Sequence, residues 1–178
     1  MYDPMNRLYF DAIVQPGRQE NEVRALIDMV DRSRIQGEII ITADRGYECY
    51  NVFAHIEQKG WKYMIRVKDI TSNGILSALE LPESAEFDVD VNVVLTRKQT
   101  NEVKNHPEIY KIIMKDTAFD FLDLHDNKFY PISFRVIRIK ITDSTYECII
   151  TNLPRQLFTP QDIKYLYHLR WGIMRLAG

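Results

Sequence analysis

The feature that most constrains the fold is the alternation of short apolar runs with helical repeats between residues 22 and 67. Residues 38–43, EIIITA, form an apolar run too short for a helix, which predicts a strand covered on both faces. Residues 61–67, WKYMIRV, alternate in the manner of a second strand. Apolar residues at helical spacing precede residues 38–43, and a second set of them lies between residues 38–43 and 61–67, so a helix is predicted at each place. This order predicts α/β structure with right-handed crossovers.

Strand patterns also flank this unit on both sides. Residues 7–15, RLYFDAIVQ, alternate and predict a strand that ends at Pro16. From about Glu86 the segments EFDVDVNVVL, IYKIIMK, SFRVIRIKI and YECIITNL predict an antiparallel β insertion. Thr159 followed by Pro160 predicts the start of a last helix.

Composition bounds the class of protein. The chain has 178 residues and is 46% hydrophobic, which suits one domain, or one domain with an insertion. Cys49 and Cys148 are far apart in apolar patterns, so we expect core thiols of a reduced, cytoplasmic protein. No apolar run approaches the roughly 20 residues that a bilayer span needs, so no membrane partner is expected.

Charge is unevenly distributed along a chain whose net charge is only −2. Residues 80–134 hold 11 acidic against 6 basic side chains, whereas residues 135–178 hold 7 basic against 3 acidic ones. This asymmetry predicts that a phosphate-facing surface, if there is one, lies towards the C-terminal end.

Asp44 stands at the carboxyl end of the predicted strand 38–43, where open α/β sheets place functional groups. Gly46 would let a ligand approach closely. The alternative is that Asp44 caps the following helix, that Arg45 is a solvated charge and that Tyr47 is a core aromatic. Both interpretations stay open on spacing alone.

The last helix places Ile163, Tyr167, Arg170 and Met174 on one face. A tyrosine and an arginine would therefore project together. The arginine fork binds phosphate or carboxylate equally well, so a DNA phosphate and an acidic side chain are both candidate partners.

Two stretches, ITADRGYECYNVFAHIEQKGWKYMIRVKD and IKYLYHLRWGIM, resemble the insertion-sequence DDE transposases of the IS-four type, whose third signature is Y-x2-R-x3-E-x6-K. FDAIVQPGRQENE and YDPMNRLY resemble the segment before the second catalytic aspartate. The resemblance covers nearly all of the chain. It implies an α/β fold with a partial ribonuclease-H-like mixed sheet flanked by helices. The implied divisions are a partial core at residues 1–80, the β insertion at 81–153 and the start of the C-terminal catalytic helix region at 154–178.

The resemblance also implies roles for residues. Asp44 matches the second acid of the catalytic triad and would bind Mg²⁺, supported by Gly46 and Tyr47. Paired Mg²⁺ ions would activate the attacking oxygen and stabilise the leaving oxygen during phosphoryl transfer. Tyr167 and Arg170 match the signature tyrosine and arginine, which would hold the phosphates of double-stranded DNA at transposon ends, together with Arg45.

The sequence departs from the family at the other two acids. Met174 stands where the signature has its glutamate, and the first aspartate would precede Met1. Asp3 and Asp11 are the acids near the start, and neither fits the pattern. A single carboxylate binds Mg²⁺ weakly, because the ion gives up its water reluctantly. We therefore expect a truncated transposase that is inactive alone.

Two other functions compete with this one. The first is a non-catalytic DNA-binding or interaction protein that interferes with a full-length transposase, through competition for DNA or through mixed or homo-oligomers. The second is another metal-dependent hydrolase that uses Asp116, Asp120, Asp123 and Asp126, a run that is more simply a solvated acidic loop.

Overall fold

The protein is described by a computed structural model that covers residues 1–18, 20–125 and 127–169. Within these ranges the chain forms a mixed six-stranded sheet with helices on both faces, and a separate two-stranded hairpin. This confirms the predicted fold class, a mixed α/β sheet flanked by helices. No helix of the described ranges is both long and apolar enough to span a membrane.

The parallel unit forms as the sequence predicts. Helix α1 (Glu22–Arg32) precedes strand β3 (Ile40–Ala43), and helix α2 (Tyr50–Gln58) connects β3 to the parallel strand β4 (Lys62–Val67). Asn21 caps α1 through its side chain. The helices cover one face of the sheet, because their apolar sides pack against alternate residues of β4.

The β-rich region continues the same sheet. Its strands are β5 (Phe87–Thr96), β6 (Tyr110–Ile112), β7 (Phe129–Lys140) and β8 (Tyr146–Thr151), and a short helix α3 (Asn101–Asn105) lies between β5 and β6. The order is β3-β4-β8-β7-β5-β6. β8 runs antiparallel to β4, so the later strands extend the parallel unit. The pairing of β5 with β6 is parallel, which the expectation of an antiparallel insertion missed.

Side chains alternate between the two faces of the sheet, and each face has its own hydrophobic core. Tyr63 and Ile65 of β4 face α1 and α2, and Tyr63 stacks on Phe53 with a centroid separation of 5.1 Å. Met64 faces the opposite side with Ile149, where helix α4 (Pro160–Leu169) covers them. Asp162 accepts hydrogen bonds from the backbone and hydroxyl of Thr159, which confirms the predicted start of α4.

The first part of the chain differs from the prediction. Instead of one strand over residues 7–15, strands β1 (Tyr2–Asp3) and β2 (Leu8–Tyr9) form a small hairpin. Phe10 and Val14, which the alternation placed on one side of the predicted strand, are 51% and 97% exposed. β3 also differs from the prediction. It was expected to be covered on both faces, but it is an edge strand and Ile40 is 36% exposed. The prediction of one strand over residues 7–15 is therefore wrong, and within the described ranges no further strand lies beside Phe10, Val14 or the outer edge of β3 to cover them.

Part of the uneven charge of the sequence is neutralised by ion pairs within the fold. β5 carries Asp88 and Asp90, β7 carries Arg135 and Arg138, and β5 pairs with β7 along its whole length. The Arg135 guanidinium binds both carboxylate oxygens of Asp88 at 2.6 Å, and Arg155 lies 3.3 Å from Asp88. The side chains of Arg135 and Arg138 are only 3% and 9% exposed. These two arginines do not face solvent, so in this fold they are not available to the phosphate-facing surface that the charge distribution predicted for the C-terminal end.

Candidate functional site

Asp44 lies where the sequence predicted it, directly after β3. It is the N-cap of a 3₁₀ helix formed by Arg45–Tyr47, and its Oδ1 accepts the Arg45 backbone N–H at 2.8 Å. Asp44 is therefore a cap, but of this short turn and not of the helix α2 that the capping interpretation named, whose N-cap is Cys49. A carboxylate can accept several hydrogen bonds, so the capping bond does not exclude a second role for Asp44.

The second contact of Asp44 is an ion pair. Its Oδ1 accepts a hydrogen bond from Nε of Arg66 at 2.8 Å, and Nη1 of the same guanidinium donates to Oε1 of Glu147 at 3.1 Å. The three residues belong to adjacent strands or their ends, in the order β3-β4-β8. One guanidinium thus lies between two carboxylates on the α4 side of the sheet.

The charged groups of this ion pair differ in exposure. The side chains of Arg66 and Glu147 are 15% and 18% exposed, and that of Asp44 is 39% exposed. Burial disfavours the charged form of Arg66, but the hydrogen bond to Glu147 and the attraction of Asp44 outweigh it and raise the pKa of Arg66 above its ordinary value. Arg66 is therefore a permanent cation at this site.

The three residues after Asp44 differ in exposure. Arg45 and Gly46 are exposed, and a Cβ atom added to Gly46 would meet only Oε2 of Glu22, at 3.9 Å. That distance is an ordinary contact, so packing within the chain does not require glycine here. Tyr47 is half-buried, and burial raises the pKa of its hydroxyl. The supporting roles of Gly46 and Tyr47 stay predictions.

The last helix brings one of the predicted DNA-binding residues near Arg66. Tyr167 is wholly buried against the sheet with Ile163, so a contact between its hydroxyl and DNA would require neighbouring side chains to move. Its neighbour His168 places Nε2 3.5 Å from Oε2 of Glu147. Arg170 and Met174 lie outside the described residues, so their predicted roles stay predictions.

A cavity of about 510 Å³ opens beside Asp44, between the N-terminal hairpin and α4. Its walls are mainly apolar, from Leu26, Met29, Ile41, Ala43, Leu166 and Leu169. Asp3 also lines it, but the Asp3 carboxylate accepts hydrogen bonds from Met5 and Asn6, which hold the hairpin turn. The cavity therefore presents more apolar than charged surface to Asp44.

Comparison with family models decides the family. The model of the transposase DDE domain matches residues 1–173. The chain belongs to the transposase DDE domain family. No curated protein and no solved structure matches it. The assignment to the IS-four type, with its third signature, stays a prediction.

The DDE transposase family normally uses a divalent metal, so we tested whether the residues of this domain fit one. Oδ1 of Asp44 already accepts hydrogen bonds from Arg45 and Arg66, and the guanidinium repels a second cation. Residues 1–18, 20–125 and 127–169 contain no group of three histidine, cysteine or acidic side chains that could hold a metal. In this arrangement the described residues of the transposase domain do not fit a divalent ion.

The acidic loop gives no support to the alternative hydrolase. Oδ2 of Asp120 lies 2.9 Å from Nε2 of His55 and 3.0 Å from Nη1 of Arg24. Asp126 lies outside the described residues. Asp120 thus fastens the loop to α1 and α2.

Sequence reasoning missed Arg66 and Glu147, although both carry a detectable signal. Arg66 follows Met64 on the α4 side of β4, and Glu147 precedes Ile149 on the same side of β8. A charged residue on each of two strands, both facing a helix, needs a partner across the sheet. The antiparallel pairing of β4 with β8, which joins residues more than 80 positions apart, was not apparent from the transposase signature.

Proposed function

We propose that this chain acts on transposon DNA as a member of its family, by binding DNA, and that it does not cut or join DNA on its own. The observation that carries the second part is the contact between Arg66 and Asp44. The carboxylate at the family's second acid position is neutralised by a buried guanidinium that also holds Glu147. Catalysis by the family depends on carboxylates that are available to metal ions.

DNA binding is supported by the family and by the exposed Arg45 beside Asp44. A duplex carries closely spaced phosphates, so a bound arginine contributes mainly to affinity and little to sequence preference. Arg170 and Tyr167 would extend this contact along the last helix, as the signature implies.

The decisive experiment incubates the purified chain with supercoiled plasmid and with labelled duplex, in Mg²⁺ and separately in Mn²⁺. We expect no nicked or joined product, together with duplex binding that weakens steeply as salt is raised. The variant Arg45→Ala should weaken binding of all duplexes alike and lower the salt slope by about 1. Exposed Lys115 supplies the control, since Lys115→Ala should leave binding unchanged.

Metal-dependent nicking that disappears in Asp44→Asn would contradict the inactive part of the proposal. The absence of salt-sensitive duplex binding would contradict the DNA-binding part. Because the two readouts are separate, each part can fail alone.

A second candidate function, interference with another transposase chain, is favoured by one surface. Among the described strands β3 pairs with β4 only, which leaves its other edge open, and Met5, Tyr9 and Phe10 expose apolar side chains nearby. An open edge next to apolar surface supports association with another chain. Light scattering should detect an oligomer, or a complex with a catalytically complete transposase, and Ile40→Lys on the edge should abolish it. A chain that remains monomeric with and without that transposase would refute this candidate.

A further inference from the structure

One carboxylate closes the loop that follows β4. Oε2 of Glu48 accepts the backbone N–H of Lys68 at 2.9 Å, and Oε1 accepts the backbone N–H of Ile75 at 2.7 Å. These two hydrogen bonds are called the Glu48 bridge below. Glu48 is also the C-cap of the turn Arg45–Tyr47, so the bridge ties the loop to the turn of the candidate site.

Gly74 packs directly against the Glu48 bridge. A Cβ atom added to Gly74 would lie 2.4 Å from Oε1 of Glu48 and 3.1 Å from Cβ of Lys68. A contact as short as the first forces one of the two groups to move. An extra atom at this point would therefore displace Oε1 from the Ile75 N–H and open the bridge.

The residue before Gly74 is Asn73, and the two form the only Asn-Gly pair in the sequence. Asn73 is exposed, and no hydrogen bond holds its side chain within the part of the chain that the structure describes. The backbone N–H of Gly74 makes only a long hydrogen bond, 3.4 Å to Oγ of Ser77. Because Gly74 has no Cβ, its backbone nitrogen is sterically free to meet the side-chain carbonyl of Asn73.

We propose that Asn73 is a site of spontaneous deamidation, and that the isoaspartate product opens the Glu48 bridge. The backbone nitrogen of Gly74 forms a bond to Cγ of Asn73 while the Cγ–Nδ2 bond breaks, and the Gly74 proton leaves with Nδ2 as ammonia. Water then opens the succinimide ring at one of its two carbonyls, which gives aspartate or isoaspartate. Isoaspartate adds one carbon to the main chain immediately before Gly74, where packing against Glu48 is already tight.

The first measurement follows the modification itself. The folded chain is warmed at mildly alkaline pH, and isoaspartate is located by peptide mapping after labelling with isoaspartyl methyltransferase. We expect conversion at Asn73 before any other asparagine, and complete loss of conversion in Asn73→Gln, because glutamine would have to form a larger ring. Exposed Asn127, which precedes Lys128, is the internal control and should stay intact over the same period.

The chain unfolded in urea shows the reaction without any influence of the fold. Conversion of Asn73 in both the folded and the unfolded chain is the expected result. An Asn73 that converts only in the unfolded chain would overturn the proposal, because the folded loop would then protect it.

The second measurement follows the Glu48 bridge. Hydrogen exchange of the Ile75 amide should be at least about tenfold faster in the isoaspartate form, because that amide loses its hydrogen bond to a carboxylate. Asn73→Asp is the matched control, since it adds the negative charge without the extra main-chain carbon, and it should leave exchange of this amide unchanged. An isoaspartate form that exchanges like Asn73→Asp would refute the opening of the bridge. Neither measurement includes DNA, so both are independent of the proposed function.

Discussion

Arg138 and Asp69 form a two-pronged ion pair that joins β7 to the segment following β4. Nε of Arg138 lies 2.7 Å from Oδ1 of Asp69, and Nη2 lies 2.9 Å from Oδ2. The Sγ of Cys148 donates to the same carboxylate at 3.2 Å, and burial raises the pKa of that thiol to about 12. The pair therefore fixes three segments around one acid.

This pair should make stability depend on pH. The hydrogen bonds from Arg138 lower the pKa of Asp69 from 3.8 to about 2. A carboxyl with a lower pKa in the folded state stabilises fully above its unfolded pKa, and this contribution is lost as pH falls towards about 2. Asp69→Asn should cost about 2–3 kcal/mol at neutral pH, because Arg138 stays buried without its partner, and less at pH near 2.

Urea unfolding of both proteins over this acid range measures the difference. Asp143→Asn is the control, because Asp143 is fully exposed where it pairs with Lys140. It should change the free energy of unfolding by less than about 0.5 kcal/mol at every pH. A constant difference between Asp69→Asn and wild type from neutral to acid pH would contradict the assignment.

His55 should hold the acidic loop in place. Its Nδ1 and Nε2 each lie 2.9 Å from a carboxylate oxygen, of Asp31 and Asp120 respectively, and its side chain is 11% exposed. His55→Ala should speed hydrogen exchange of the Leu122 amide by at least about tenfold, because the loop loses the contact of Asp120 with His55, one of its two attachments through Asp120 to α2. His106→Ala alters an exposed histidine and should leave this amide unchanged.

The stack of Phe53 on Tyr63 should dominate the core on the α2 side. Both rings are 0% exposed. Phe53→Ala should lower the free energy of unfolding by about 3–5 kcal/mol, from lost burial plus the cavity that remains. Leu157 is 73% exposed, so Leu157→Ala should cost less than about 0.5 kcal/mol in the same chemical denaturation experiment. A cost of Phe53→Ala close to that of the control would show that the core rearranges around the cavity.

Thr159 should stabilise the first turn of α4. Its hydroxyl and backbone N–H both donate to Asp162, and these bonds lower the pKa of that acid. Thr159→Ala should cost about 1 kcal/mol, the usual value of an N-cap. Exposed Ser84 lies outside any helix, and Ser84→Ala should have no effect on the thermal midpoint.

Local patterns predicted much of this structure. The spacing of apolar residues defined α1, α2, β3 and β4 to within a few residues, because each element depends on its own sequence. The Thr159 cap was predicted for the same reason. Asp44 was placed at the end of its strand, where the apolar run and the family resemblance agree.

The partners of Asp44 could not be predicted in this way. Arg66 and Glu147 meet because β8 returns to pair with β4, and neither local spacing nor the family signature encodes that pairing. The same limit applies to the charges, since Arg135 and Asp88 look like separate surface features until β5 and β7 are paired. Phe10 and Val14 are exposed for the same reason. Alternation shows which residues share a side, but burial of that side needs a neighbouring element, which alternation does not predict.

The pairing of β4 with β8 also sets a time interval during synthesis. β4 pairs with β3 on one edge, but β4 ends at Val67 and β8 begins at Tyr146, so the ribosome adds about eighty residues before the partner for its other edge exists. At about 5–20 residues per second this interval lasts roughly 4–16 s, far longer than a helix or hairpin needs to form. During that time the parallel unit presents an unsatisfied strand edge in the nascent chain. Slower translation between β4 and β8 should therefore increase chaperone engagement and aggregation, and faster translation should reduce both.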